Sequence, residues 1–337
     1  MSSPNSTKSS DQHCASNDDV TRIESLNFQI SYFVHIFSIL STFYFSYFAI
    51  INVQRKSIFQ NSTKLLLYQN LFSGILHQTI YAIYVIPRLY QTIWPPTVPC
   101  IPLLLEADCS FHHVIFIAVI CGMIYGQTGL LLERACATFM KHYERTKSLA
   151  IGASIALVLS VLSVLTERIV IWDDPLNGYV TSCLSWPANS MKRSKVFYSA
   201  LTFISSFNLI SSIVINKYNK KLEYSILFVV GPRFQKREMI ESTSTICFLT
   251  FAQFTLLFIY SFGIFLMKTF HDMLTYEQYY GVVIWLYTIP FLATLFPILL
   301  IYRIRRSRLR RVQIIKSFTN VKQTQDDHIR QIKDIWK

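Results

Sequence analysis

The chain has 337 residues, of which 52% are hydrophobic, 15% aromatic and only 15% charged, with a mean hydropathy of +0.34 and a formal net charge of +13. Soluble domains carry about 25% charged residues, and here whole stretches contain none, which excludes an ordinary soluble globular domain. The cations sit in short segments beside apolar windows, where anionic lipid head groups are the nearer partner, so nucleic acid is not expected despite the basic balance.

A helix needs about 20 mostly apolar residues to cross the hydrocarbon layer. Seven such windows occur, from Phe28 to Val53, Leu65 to Val85, Cys109 to Leu132, Leu149 to Ile171, Val196 to Ile215, Thr245 to Met267 and Val282 to Tyr302. They predict an all-α membrane protein built as a seven-transmembrane helix bundle. The chain then divides into an N-terminal segment over 1–27, the bundle over 28–302 and a basic tail over 303–337. No basic stretch followed by a short apolar core and a small-residue cleavage site precedes the first window, so that window is expected to act as the insertion signal.

Loops retained in the cytoplasm keep an excess of Lys and Arg. With the N-terminus outside, 24 of the 32 basic residues fall on the inner side. The predicted orientation is therefore N-terminus outside and C-terminus cytoplasmic, in a multi-pass protein of the plasma membrane. Asn5-Ser6-Thr7 is then an exposed glycosylation acceptor, and Asn61-Ser62-Thr63 is an inner one that stays unmodified.

Seven cysteines do not pair completely. Cys121, Cys136 and Cys247 fall within or at the inner ends of windows and read as small packing residues. Cys14, Cys100, Cys109 and Cys183 lie on the outer, oxidising side, and four cysteines allow three pairings. Cys109 opens the third window and Cys183 sits in the middle of the loop after the fourth, a placement that favours their pairing and leaves Cys14 with Cys100. The latter bridge would clip the N-terminal segment to an outer loop stiffened by Pro95, Pro96, Pro99 and Pro102.

Ionisable residues at membrane depth are functional candidates because burying them is costly. The windows hold His35, His77, His112 and His113, while Glu106, Asp108, Glu133 and Glu167 stand at their ends. Adjacent His112 and His113 project about 100° apart on a helix, a poor geometry for one metal, so no metal and no cofactor are expected and the histidines are read as neutral hydrogen-bonding groups. Aromatic residues lie at similar depth: Tyr81, Tyr84, Tyr198, Tyr260, Trp285 and Tyr287. Small-molecule pockets are apolar and aromatic with a few polar groups, although interface anchoring draws the same residues. The candidate ligand-binding set is His112, His113, Phe116, Tyr198, Tyr260 and Trp285.

The third window ends in Leu132-Glu133-Arg134-Ala135-Cys136-Ala137-Thr138-Phe139, and Arg134 follows Cys109 by 25 residues. On its own a terminal arginine reads as one snorkelling to the head groups, yet this spacing of a cysteine and an acidic-Arg pair resembles rhodopsin-like receptors. Together with Tyr143-Glu144, the Arg233-Phe234-Gln235 run, the Cys14-Ala15-Ser16 start and the Gln69 to Gln78 region, the chain resembles the nematode serpentine receptor class alpha family of chemoreceptors over nearly its whole length. The resemblance implies a G-protein-coupled receptor in the sensory cilia of chemosensory neurons, with a heterotrimeric G protein and an extracellular chemical ligand as partners. Glu133, Arg134, Arg233, Glu238 and Glu241 are the expected coupling and switch residues, with Arg134 paired to Glu238 or Glu241 at rest. The chain departs from rhodopsin-like receptors in its sixth window, which lacks an aromatic-Pro motif, and in its seventh, where Pro297 and Tyr302 stand without the usual Asn-Pro-x-x-Tyr.

The tail places Leu309, Val312, Ile315 and Phe318 at every third position among arginines, which predicts a basic amphipathic helix on the inner leaflet. Against the receptor stand an inverted seven-helix ligand-gated channel, which needs the positive side outside, and a small-solute transporter, which calls for an internal repeat or interrupted helices in matching halves. An enzyme would require convergent acid, base or metal groups that the windows do not supply.

Overall fold

The computed structural model describes residues 20–21, 25–56, 59–94, 103–140, 148–172, 174–180, 183, 186–224, 230–270 and 273–320. Asn5, Cys14, Cys100 and the stretch 141–147 lie outside the described residues. Arg233 and Glu238 belong to a described helix, but their side chains also lie outside the description.

The helices are α1 Leu26–Lys56, α2 Asn61–Ile93, α3 Glu106–Phe139, α4 Ser148–Val170, α5 Met191–Tyr224, α6 Val230–Thr269, α7 Tyr276–Leu286 and α8 Ile289–Asn320. Two short strands, β1 Leu104–Leu105 and β2 Tyr179–Val180, pair antiparallel, Leu104 opposite Val180 and Leu105 opposite Tyr179. They mark one end of the bundle, called here the strand end. Arg134, Arg303 and their neighbours mark the other, the basic end.

Among the described residues six helical units are long and apolar enough to cross a membrane, α7 and α8 counting as one unit over Glu277–Gln313. The remaining long helix, α2, spans 33 residues but is diluted by Asn70, His77 and Gln78. Those three are buried, at 4%, 0% and 0% exposure, because α2 packs against α1, α3, α4 and α8, so their polar groups meet protein and not lipid. The bundle is thus a seven-transmembrane one. At its centre runs α3, with 72% of its most apolar stretch buried against 17% for α4. Large apolar side chains cover the outside, among them Phe33, Phe37, Leu157, Phe203 and Phe207. Such a surface is an aggregation hazard in water and the solvated face in lipid.

Two apolar cores stack along the bundle. The strand-end core gathers Ile39, Tyr81, Phe116, Ile120, Leu257 and Ile289, and the basic-end core gathers Val53, Leu66, Leu71, Leu130, Leu249 and Leu300. Near their junction lies a polar layer. Gln78 Nε2 donates to the Pro290 carbonyl at 2.8 Å and to Thr42 Oγ1 at 3.1 Å, while the hydroxyls of Ser38, Thr42 and Thr294 close on one another at 2.6 and 2.7 Å. Thr250 donates to Gln127 Oε1 at 3.2 Å, Gln253 to the Met123 carbonyl at 2.9 Å, and Asn208 to Thr128 at 2.9 Å. Interhelical hydrogen bonds in membranes are worth about 0.6 kcal/mol on average and up to roughly 1.7. Gln78→Leu is expected to lower stability within that range, read as a lowered Tm of the detergent-solubilised chain. An unchanged Tm would mean that the layer contributes nothing to stability at this position.

The backbones of α2 and α4 approach closely at Gly152, where an added Cβ would stand 2.9 Å from Ser62 Cα. The last helix passes the hydropathy boundary at Tyr302. The helix that begins at Ile289 runs unbroken to Asn320, so the basic segment continues the last helix instead of starting a separate one along the leaflet. Leu309 and Val312 lie exposed on this extension; the side chains of Ile315 and Phe318 are outside the description.

Candidate functional site

At the strand end a disulfide joins Cys109, on the first turns of α3, to Cys183 in the loop after β2. The same loop is held again at Glu106, which is 1% exposed. Its backbone N–H donates to the Gly178 carbonyl at 2.9 Å, and its carboxylate accepts from the Gly178 N–H at 3.1 Å. The approach is close at Gly178, where an added Cβ would stand 2.7 Å from the Glu106 carboxyl group and displace it. Asp174 orders the next stretch by accepting from Ser190 Oγ at 2.6 Å and from the Leu176 N–H at 3.2 Å. Burial alone raises this carboxyl, but the bonds from Ser190, Leu176 and Asn189 and the charge of Arg193 more than reverse it, leaving Asp174 below the ordinary aspartate value.

Beneath this cover, aromatic rings from several helices converge on Tyr287. Its ring lies 5.4 Å from Tyr81, 5.8 Å from Tyr260, 6.5 Å from Phe116 and 6.4 Å from His77, and its hydroxyl bonds His77 Nε2 at 3.1 Å. His77 stacks on Phe116 at 5.1 Å, His35 meets Tyr81 edge-on at 5.4 Å, and Tyr260 meets Tyr198 at 4.9 Å. Trp186 closes the row, donating from its indole to the Tyr198 hydroxyl at 3.3 Å.

Tyr287 occupies a break. Tyr287 and Thr288 separate α7 from α8, and Pro290, just inside α8, has no N–H to bridge it. The break is tied to neighbouring helices, with Thr288 Oγ1 donating to the Leu256 carbonyl at 2.7 Å and Gln78 Nε2 donating to the Pro290 carbonyl. This irregular backbone is tolerated at membrane depth because it is enclosed by protein.

Of the residues expected to bind ligand, Phe116, Tyr198 and Tyr260 are brought together in this cluster. His113, 3% exposed, lies three residues before Phe116 on the same face of α3, and its Nε2 has no hydrogen-bond partner among the described residues. His112 sits apart, edge-on to Tyr84 at 5.6 Å. Trp285 is on the rim, its indole N–H on Asn27 Oδ1 at 2.9 Å. Composition pointed to aromatic residues at this depth, but nothing in the spacing singled out Tyr287 as the one that the others surround. Among the described residues no three His, Cys, Asp or Glu side chains gather to hold a metal.

At the basic end Arg134 is 2% exposed and Glu133 fully buried. Arg134 Nε and Nη2 both donate to the Glu133 carboxylate, at 2.6 and 2.5 Å. Ser62 Oγ and Thr63 Oγ1 donate to the same carboxylate from the first turn of α2, at 2.8 and 3.1 Å. Arg134 reaches Ser242 on α6 at 3.2 Å as well as Thr63 at 2.7 Å. A buried charge pair persists only with such added donors and acceptors. The carboxylate that Arg134 meets in the structure is not Glu241, and the side chain of Glu238 lies outside the description. That carboxylate is the neighbouring Glu133, while Glu241 faces α8, bonded to Ser307 and within 3.5 Å of Arg310 and 3.9 Å of Arg311. Glu133 is nearer because consecutive carboxylate and guanidinium both point into the gap that α2 fills.

A seven-helix membrane bundle with a disulfide-tethered loop over one end and a buried acid-Arg pair at the other has the form of a serpentine receptor. The chain matches the family described as "Serpentine type 7TM GPCR chemoreceptor Sra" over residues 9–336. It is 56% identical to serpentine receptor class alpha-7 of Caenorhabditis elegans, with all of both chains covered. It is 55% identical to class alpha-3 of the same organism, over 97% of this chain and 99% of that one, and 53% identical to class alpha-4, over 96% and 98%. The chain belongs to the Sra family of serpentine chemoreceptors, and is a multi-pass membrane protein.

Proposed function

We propose that the chain is a chemosensory receptor that converts binding of an extracellular small molecule into activation of a heterotrimeric G protein. In this reading the strand end faces outside with the N-terminal segment 1–27, glycosylated at Asn5 and clipped by Cys14 to Cys100. The basic end and the tail face the cytoplasm, and the protein resides in the plasma membrane of sensory cilia. The carrying observation is that Tyr287, at the centre of the aromatic cluster, sits on the break from which α8 runs to the basic end. A ligand that contacts His113, Phe116, Tyr198, Tyr260 or Tyr287 and prefers one setting of the break would shift α8 and, with it, α6 at Glu241.

The lock to be opened is the Glu133–Arg134 pair, held at rest between α2 and α6. Freed from Ser62, Thr63 and Ser242, Arg134 would turn to the G protein, with Arg233, Glu238 and Glu241 on α6 completing the coupling face. The reading is tested by ligand-dependent nucleotide exchange on a co-expressed G protein, using a panel of volatile and water-soluble compounds against the wild type and Tyr287→Ala. Stimulation in the wild type and none in the variant is the expected result. Topology is tested by a glycosidase-sensitive gel shift: a glycan on Asn61 and not on Asn5, with a protease-accessible external tail, would replace this reading with the inverted channel.

A further inference from the structure

Between α5, α6 and α8 at the basic end lies a cavity of about 120 Å³ whose wall carries four cations, Lys220, Arg303, Arg306 and Arg310, against one carboxylate, Glu241. Among the described residues of this wall the cations outnumber the carboxylates four to one. Glu241 is committed to Ser307, Arg310 and Arg311. Arg303 spends Nη2 on Ser244 at 3.0 Å, while its Nε is buried and has no acceptor among the described residues. The Arg303 guanidinium also stands over the Phe248 ring at 5.3 Å, which fixes this cation at the cavity wall.

We propose that this cavity binds a phosphomonoester group, supplied by the head group of an anionic lipid in the leaflet that the basic end faces. A phosphate presents three strong acceptor oxygens and close to two negative charges, which suits the N–H donors that arrive from α5 and α8. Guanidinium groups match phosphate oxygens in pairs. The lipid source is favoured by depth. Tyr302, under Arg306 at 5.9 Å, is of the residue type that gathers at the head-group layer, and α8 turns the apolar Leu309 and Val312 outward on its other side. A chain anchored in the bilayer can therefore bring its head group to the opening without leaving the membrane. Basic pockets between helix ends are recognised sites for such head groups. The site stands whichever way the chain is inserted, and it does not depend on a G protein.

Glu241 opposes the ligand, since its carboxylate shares the cavity with the incoming phosphate. The bound phosphate would take over Arg310 and loosen the bridge between α6 and α8.

The test uses the full chain in detergent and measures binding of dioctanoyl phosphatidic acid. Its comparators are dioctanoyl phosphatidylserine, an anionic lipid without a phosphomonoester, and glycerol 3-phosphate, the same head group without chains. Phosphatidic acid is expected to bind tightest. Arg303→Gln with Arg306→Gln should weaken it by about tenfold or more. Arg305→Gln with Arg308→Gln, which removes equal charge from the opposite face of α8, should change it by less than about threefold, and Glu241→Gln should tighten it. Equal loss in both arginine pairs, or equal binding of phosphatidylserine, would reduce the effect to diffuse attraction and overturn the site. Glycerol 3-phosphate binding as tightly as the lipid would overturn the lipid source.

Discussion

Glu133→Ala is expected to destabilise the bundle by about 3–5 kcal/mol, because it leaves the Arg134 guanidinium buried without its counter-charge. Arg134 is 2% exposed, and its remaining partners, Thr63, Gln60 and Ser242, are neutral. The α2 hydroxyls of Ser62 and Thr63 lose their shared acceptor in the same change. Glu133→Leu combined with Arg134→Met removes both charges at similar volume, and such replacements are often neutral or stabilising. The double variant should therefore recover most of the lost Tm and surface expression, while failing to stimulate nucleotide exchange on the G protein. This separates the pair's structural role from its signalling role. A double variant as unstable as Glu133→Ala would show that the loss is one of packing, and one that signals normally would remove Arg134 from the mechanism.

Cys183→Ser is the second large change. The Cys109–Cys183 bridge closes a separation of 74 residues, and losing a native disulfide typically costs about 2–5 kcal/mol. Beyond the bridge, the described residues of the loop are held by the β1–β2 pair, the Glu106–Gly178 bonds, the Asp174 contacts, the Arg193–Trp172 bond and the Trp186–Tyr198 bond. Cys109→Ser, Cys183→Ser and the double variant should share one lowered Tm by circular dichroism. Reductant should bring the wild type to that same value and leave the variants unmoved. Non-equivalent single variants would point instead to packing of the individual sulfurs, of which Cys109 is fully buried.

The helices were legible because lipid demands long uncharged stretches, and these survive in the sequence without any knowledge of neighbours. The limits of legibility follow from the same fact. Tyr302 marks where apolar residues give way to arginines, which is a boundary of hydropathy. No glycine or proline follows Pro297 there, so the helix itself had no reason to end. Ser62 and Thr63 sit in a glycosylation tripeptide, and that pattern hid their role as donors to a carboxylate some 70 residues away. The contact of Arg134 with Glu133 was hidden for a related reason: spacing suggests which residues share a helix face, whereas the choice between Glu133 and Glu241 depends on how α2 and α6 close around α3. Within the aromatic set, depth was readable and convergence was not, so Trp285 and Phe116 looked equivalent although one is at the rim and the other in the core.

The break at Tyr287 also gives the molecule a mechanical advantage. From Ile289 to Arg311 the helix climbs roughly 33 Å at about 1.5 Å per residue, with its pivot against the aromatic cluster and its far end among the arginines. A tilt of about 5° at the pivot, small enough to follow from one ring being displaced, sweeps the far end through about 3 Å on this rise. That distance is about the length of a hydrogen bond, so a contact such as the one between Glu241 and Arg310 at 3.5 Å lies within the stroke of the arm.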